Sequence, residues 1–135
     1  PEMAAQFVSD TQVDLLAVSV GNIHIQVNGE DALDLTRLAE IRRRVDTPLV
    51  LHGDSGIKAD TLTAAVEMGV AKVNYGTYIK QRCLKAMRKA LSVDVSNPHV
   101  LLGIGGEQDV LELTRMAVRD AVLERIELLG CCGKG

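Results

Sequence analysis

Aromatic side chains are nearly absent: the 135 residues hold no tryptophan, one phenylalanine (Phe7) and two tyrosines (Tyr75 and Tyr78). The core is therefore aliphatic, and there are too few rings for a surface that stacks bases. Positive charge is not in excess either. Fifteen Lys and Arg stand against 18 Asp and Glu, a net charge of −3, so the basic footprint of a nucleic-acid-binding protein is missing. No apolar run approaches the roughly 20 residues that a membrane span needs. The N-terminal PEMAAQFVSD mixes acidic, polar and apolar residues and does not read as a secretory signal. Cysteine is sparse and odd in number: Cys83 and the adjacent Cys131 and Cys132. Neighbouring cysteines rarely bond to each other, so a reducing, cytoplasmic setting is expected. There is no low-complexity tract and no repeat. A composition that is 47% hydrophobic and 24% charged suits a single folded segment, residues 1–135.

What is present alternates. Residues 1–10 look helical, and VDLLAVSV (13–20) is a nearly continuous apolar run, as expected of a strand covered on both faces. Leu38, Ile41 and Val45 then recur at helical spacing. PLVLH (48–52) reads as a second strand, KADTLTAAVEMG (58–69) as a short helix ending at Gly69, and VAKVN (70–74) as a third strand. Thr77 is a candidate cap for a helix with Ile79, Cys83, Met87 and Leu91 on one face. SVDVSNPHVLLGIGG (92–106) reads as a linker before a last helix carrying Leu111, Val118, Val122, Ile126 and Leu129. Strands alternating with helices predict βαβ units and a parallel sheet. Three strands leave such a sheet's edges open, and the expectation is part of a larger α/β sheet or barrel.

Ligands of α/β folds bind at the carboxyl ends of the strands, and those ends carry polar residues here. His24 follows the first strand in GNIHIQVNG, His52 ends the second in HGDSG, and NYGT (74–77) follows the third. Two imidazoles converging from neighbouring strand ends suit Zn²⁺, although a catalytic zinc takes three protein ligands and only two are visible. The competing reading is a pair of ordinary polar loop residues, and spacing alone does not choose. Gly53 and Gly56 allow backbone N–H groups to approach an anion, and Ser55 adds a hydroxyl. Asn74, Gly76 and Thr77 sit where a helix start also favours negative charge. Two tight turns with a cap would use the same residues. Asp54 opposes phosphate unless it turns outward or meets a cation.

LHGDSGI, AKVNYGT and the closing GCCGKG together resemble the class II, zinc-dependent ketose-bisphosphate aldolases, the fructose- and tagatose-bisphosphate group. Gly21 and His24 match that family's Gly-x-x-His stretch, and DLTRLAEIRRRVDTPLVLHG resembles its approach to the glycine loop. The resemblance covers essentially the whole chain. It implies an α/β fold, a partial TIM (β/α)8 barrel of about strands 6–8 with their helices, from a barrel roughly twice this length. It implies that His24 and His52 are zinc ligands and that a monovalent cation is admissible beside the zinc. It implies that Gly53, Asp54, Ser55, Asn74, Tyr75, Gly76 and Thr77 hold the phosphate end of a phosphorylated sugar. The activity implied is reversible aldol cleavage of a ketose 1,6-bisphosphate, such as fructose 1,6-bisphosphate, to dihydroxyacetone phosphate and an aldehyde. The third zinc histidine and the proton-transferring aspartate belong to the barrel's N-terminal half, so no catalytic residue is assigned here. The family commonly forms homo-oligomers. Nucleic acid and membrane are not among the expected partners.

Two positions depart from the pattern: Ile25 stands where the family has Gly, and Asp54 where Gly or Ala is usual. They support an alternative, a diverged non-catalytic module that binds a phosphosugar or assembles with a partner. Other features read as scaffold. His99 is a linker residue, Cys131 and Cys132 are packing residues, and Glu30, Asp31 and Asp34 form the acidic start of a helix. Lys80, Arg82, Lys85, Arg88 and Lys89 make one helix basic, a solvated face from which Lys80 could reach a phosphate.

Overall fold

In the first of two compact units, Pro1–Thr77, the alternation of the sequence becomes a parallel sheet. The structure is a computed structural model that describes residues 1–22, 31–53 and 56–134. Three strands, β1 (Leu16–Val18), β2 (Leu49–Leu51) and β3 (Val70–Val73), pair in the order β1-β2-β3. Both pairings are parallel, with Val18 opposite Leu51 and Leu51 opposite Val73. Helices α1 (Glu2–Thr11), α2 (Leu35–Arg42) and α3 (Ala59–Glu67) precede and connect the strands.

The middle strand is the most covered. Leu49 and Leu51 are 0% exposed and Val50 is 4% exposed, which is why PLVLH reads as an uninterrupted apolar run. Leu38 and Ile41 of α2 and Leu62 and Ala65 of α3 complete this aliphatic core. Each fully buried leucine contributes roughly 1.5–3 kcal/mol of transfer free energy. Strand β1 is shorter than the apolar run 13–20 predicts. Val20 is buried, but it lies beyond the ladder because its N–H turns to the Asn22 side chain.

The helix ends follow local chemistry. Asp34 caps α2 by accepting from the Arg37 N–H at 2.8 Å, so the acidic helix start predicted for this segment resolves to one residue. Asp31 pairs in a parallel bridge with Ile57 instead. At the end of α3, Gly69 adopts φ +102, and a Cβ there would lie 2.7 Å from Nε of Arg42. The Arg42 guanidinium passes over this glycine and donates to the Val45 carbonyl at 2.6 Å. One arginine thus closes off α2 and lies against the end of α3.

The second unit, Tyr78–Gly135, contains most of α4 (Thr77–Leu91), then α5 (Pro98–Leu101) and α6 (Val110–Leu128). On α4 the predicted face holds as a half-buried stripe through Ile79, Cys83 and Met87, but Leu91 is 62% exposed and Ala90 is the buried residue at that end. The segment read as a linker includes α5, started by Pro98 and capped by Asn97, which accepts from the His99 N–H. The buried positions of α6 are Val110, Thr114 and Ala121. Leu111 and Val122, predicted to face the core, are exposed. Periodicity singled out the largest side chains, whereas packing uses smaller ones one position away. Cys131 and Cys132 are also exposed and free, not packed as expected.

Two polar groups organise this unit. Arg82 of α4 pairs with Glu124 of α6 at 2.7 Å, and the Tyr78 hydroxyl donates to the same carboxylate. The guanidinium carbons of Arg82 and Arg125 lie 5.1 and 4.3 Å from the Tyr78 ring centre. Arg82 therefore leaves the basic face, while Lys80, Lys85, Arg88 and Lys89 stay exposed. Asp109, only 2% exposed, binds backbone with both oxygens. One accepts from Gly103 and Gly105 at 2.8 and 2.9 Å, the other from Leu111 and Glu112 at 2.9 and 3.3 Å. The GIGG turn and the start of α6 are thus held by one carboxylate.

Replacing Gly69 by Ala forces a side chain onto a left-handed backbone beneath Arg42, and a loss of about 1–3 kcal/mol is expected, read from the shift in urea midpoint. The backbone donors, Gly105 first, hold the Asp109 carboxyl below its ordinary value. Its stabilising effect is therefore complete above the unfolded carboxyl value and fades as pH falls through the folded one. Asp109→Asn is expected to flatten that acid limb of the stability–pH curve, as measured by urea unfolding at a series of acid pH values.

Candidate active site

Because all three strands run in one direction, their carboxyl ends share a rim. His52 follows β2 directly, half-buried, and Gly53 behind it has φ +69. Asn74 follows β3, and its N–H donates to the Leu51 carbonyl at 2.9 Å, carrying the β2–β3 ladder to the rim. The Asn74 side chain then meets the imidazole, with Nδ2 2.8 Å from Nε2 of His52 and 3.4 Å from Nδ1. An amide NH2 donates, so in the shorter contact Nε2 accepts and its lone pair is engaged by Asn74. An imidazole ligates a metal through such a lone pair, so a metal at Nε2 would take the place of the Asn74 contact.

Tyr75, Gly76 and Thr77 continue from Asn74 into α4. Tyr75 is half-buried with its hydroxyl oxygen shielded from solvent. Gly76 is exposed, has no left-handed angle, and among the described residues no atom lies within 4 Å of where a Cβ would stand. Thr77 is the first helical residue, one position inside the cap predicted for it. Helix α4 therefore begins three residues along the chain from Asn74.

The structure brings His52, Gly53, Asn74, Tyr75, Gly76 and Thr77 to this rim. His24, Ile25, Glu30, Asp54 and Ser55 lie outside the described residues. Among the described residues no three His, Cys, Asp or Glu side chains gather as a metal-ligating group. His99 is exposed on α5, away from the strand ends. One rim residue escaped the sequence reading. Asn22 accepts from the Val20 N–H at 2.7 Å and donates to the His52 carbonyl at 2.7 Å. The available signal was an asparagine directly after a glycine at a strand end, a residue that readily turns its side chain back onto backbone.

A parallel α/β sheet with an imidazole and two amides at its carboxyl rim is the arrangement of a barrel-type α/β segment, in which ligands bind at that rim. Comparison with known proteins narrows the class. The family profile for fructose-bisphosphate aldolase class-II matches residues 1–134. Among solved structures, the YdjI aldolase from Escherichia coli K12 is 33% identical with a TM-score of 0.80. A protein from Coccidioides immitis assigned as a fructose-1,6-bisphosphate aldolase is 30% identical with a TM-score of 0.74. Each match covers 99% of this chain and 44% of the other. The chain belongs to the class-II fructose-bisphosphate aldolase family, and it spans less than half the length of these relatives.

Asn74→Ala removes the amide that meets Nε2 of His52. In metal-free protein at about pH 8, above the ordinary imidazole range, nitrogen NMR is expected to show Nε2 unprotonated in the parent and a mixture of tautomers in the variant.

Proposed function

We propose that the protein to which this chain belongs carries out zinc-dependent, reversible aldol cleavage of a ketose 1,6-bisphosphate, with fructose 1,6-bisphosphate as the type substrate, giving dihydroxyacetone phosphate and an aldehyde. The observation that supports this most directly is the shared rim. It sets the His52 ring 2.8 Å from the Asn74 amide, with the start of α4 three residues further on. In this reading His52 is one metal ligand and His24, from the neighbouring strand end, is a second. The donor type fits, since an imidazole nitrogen is a ligand that zinc accepts, and binding at Nε2 would displace the Asn74 amide from that lone pair. Bound zinc supplies Lewis-acid polarisation of the substrate carbonyl.

The chain's own residues bind and orient. Gly53, Asp54 and Ser55 on one loop and Asn74, Tyr75, Gly76 and Thr77 on the other are assigned to the phosphate end of the substrate. The open backbone at Gly76 supports this assignment, because neither its own conformation nor any neighbour requires glycine there. Close approach of a ligand to backbone does. The α4 N-terminus adds N–H donors and positive potential for the phosphate. Holding the three-carbon fragment at both ends converts cleavage into a positioned, effectively unimolecular step. The third ligand and the proton-transferring carboxylate are assigned to the first half of the barrel, which the isolated 135 residues therefore need for turnover. Homo-oligomeric assembly and a cytoplasmic setting belong to the same proposal.

Metal analysis and a coupled aldol-cleavage assay on the full-length protein test this reading. About one zinc ion per protomer with cleavage of a ketose bisphosphate is expected, and His52→Ala is expected to lose both. Zinc content unchanged by His52→Ala removes that residue from the metal site. A full-length protein that binds neither zinc nor ketose bisphosphates overturns the proposal.

A further inference from the structure

The pairing of β1 with β2 ends in an unusual way. Leu16 donates its N–H to the Pro48 carbonyl at 3.0 Å, and Leu16 lies opposite Leu49. In a parallel ladder of this register the donors on that edge recur every second residue. Val18 then faces the Val50 carbonyl, and Val20 the His52 carbonyl. The last of these bonds is not made directly. The Val20 N–H goes to Oδ1 of Asn22 at 2.7 Å, and Nδ2 of Asn22 goes to the His52 carbonyl at 2.7 Å. The same Nδ2 lies 3.5 Å from the Val18 carbonyl. The Asn22 side chain thus stands in the ladder as an inserted peptide unit. It accepts on one side and donates on the other, as a backbone peptide group does.

The two sides of β2 now differ at the rim. Towards β3 the ladder stays closed, with the Asn74 N–H on the Leu51 carbonyl at 2.9 Å. Towards β1 the strand ends are held one amide group further apart than a ladder bond allows. Residue 52 is gripped at both ends, by Asn22 at its carbonyl and by Asn74 at its ring.

We propose that Asn22 is a positioning residue that spreads the carboxyl ends of β1 and β2 by a fixed amount and grips the backbone of residue 52, setting where the His52 imidazole meets a metal ion. The role in metal binding rests on the function proposed above. The spreading itself does not.

The full-length protein and its Asn22→Ala and Asn22→Asp variants separate the possibilities. Aspartate keeps the acceptor for Val20 but cannot donate to the His52 carbonyl. Zinc affinity, measured by competition with a chelator, is expected to fall about 10–100-fold in both variants, with the unfolding midpoint of Asn22→Asp close to that of the parent. Amide hydrogen exchange in zinc-free protein is expected to show Val20 protected in the parent and in Asn22→Asp, and exposed in Asn22→Ala. Parent-like zinc affinity in folded Asn22→Asp overturns the positioning role. So does a fall in its zinc affinity that only matches a fall in stability. Full protection of Val20 in Asn22→Ala overturns the inserted amide. A parent protein that holds no zinc defeats the proposed function instead, while the exchange experiment still decides whether Asn22 spreads the strands.

Discussion

The burial of β2 is the constraint from which the rim follows. Its three residues are covered on both faces and paired on both edges. The position and direction of its last residue are therefore fixed by the core rather than by any loop. A strand held this way delivers the next side chain, His52, to one place with little freedom, and freedom is what a ligand-binding group must lose. Shifting β2 by one residue would exchange its two faces. The flanking strands gain their orientation from β2, since each pairs with it and neither pairs with the other.

At the rim the dominant groups are neutral amides rather than charges. Asn74 holds the His52 ring at Nε2, Asn22 holds its backbone, and Asp34 and Arg42 keep the adjoining helix ends in order. Under the proposed function, neutral hydrogen bonds suit a site that receives ions. They orient an imidazole without adding charge that would compete with a metal or a phosphate. The second unit follows a different logic, in which the Asp109 carboxylate and the cluster of Tyr78, Arg82, Glu124 and Arg125 tie helix starts and faces together.

Much of this could be read from the sequence because its signals were local. The runs 13–20, 48–52 and 70–74 marked the three strands, Gly69 marked a helix stop, and His52 and Asn74 stood out because strand ends are where ligands bind. The rest depended on contacts that a linear pattern does not carry. The length of β1 was set by the Asn22 side chain, which intercepts the Val20 N–H. The face of α6 was misjudged because helical periodicity weights large apolar residues, while close packing selected Thr114 and Ala121. The α5 turn lay inside a stretch rich in breakers, where Asn97 and Pro98 together start a helix too short to show a period. Motif resemblance supplied the family and the roles proposed for His24, Asp54 and Ser55, which lie outside the described residues and which periodicity and spacing alone left open.

Gly76 has a consequence for how this protein tolerates change. Its backbone is not left-handed, and among the described residues nothing lies beside it. The packing of these residues is therefore indifferent to what occupies the position. Under the proposed function, pressure to keep it small would come from a visiting molecule, so drift at residue 76 among relatives would record altered ligand preference rather than altered foldability.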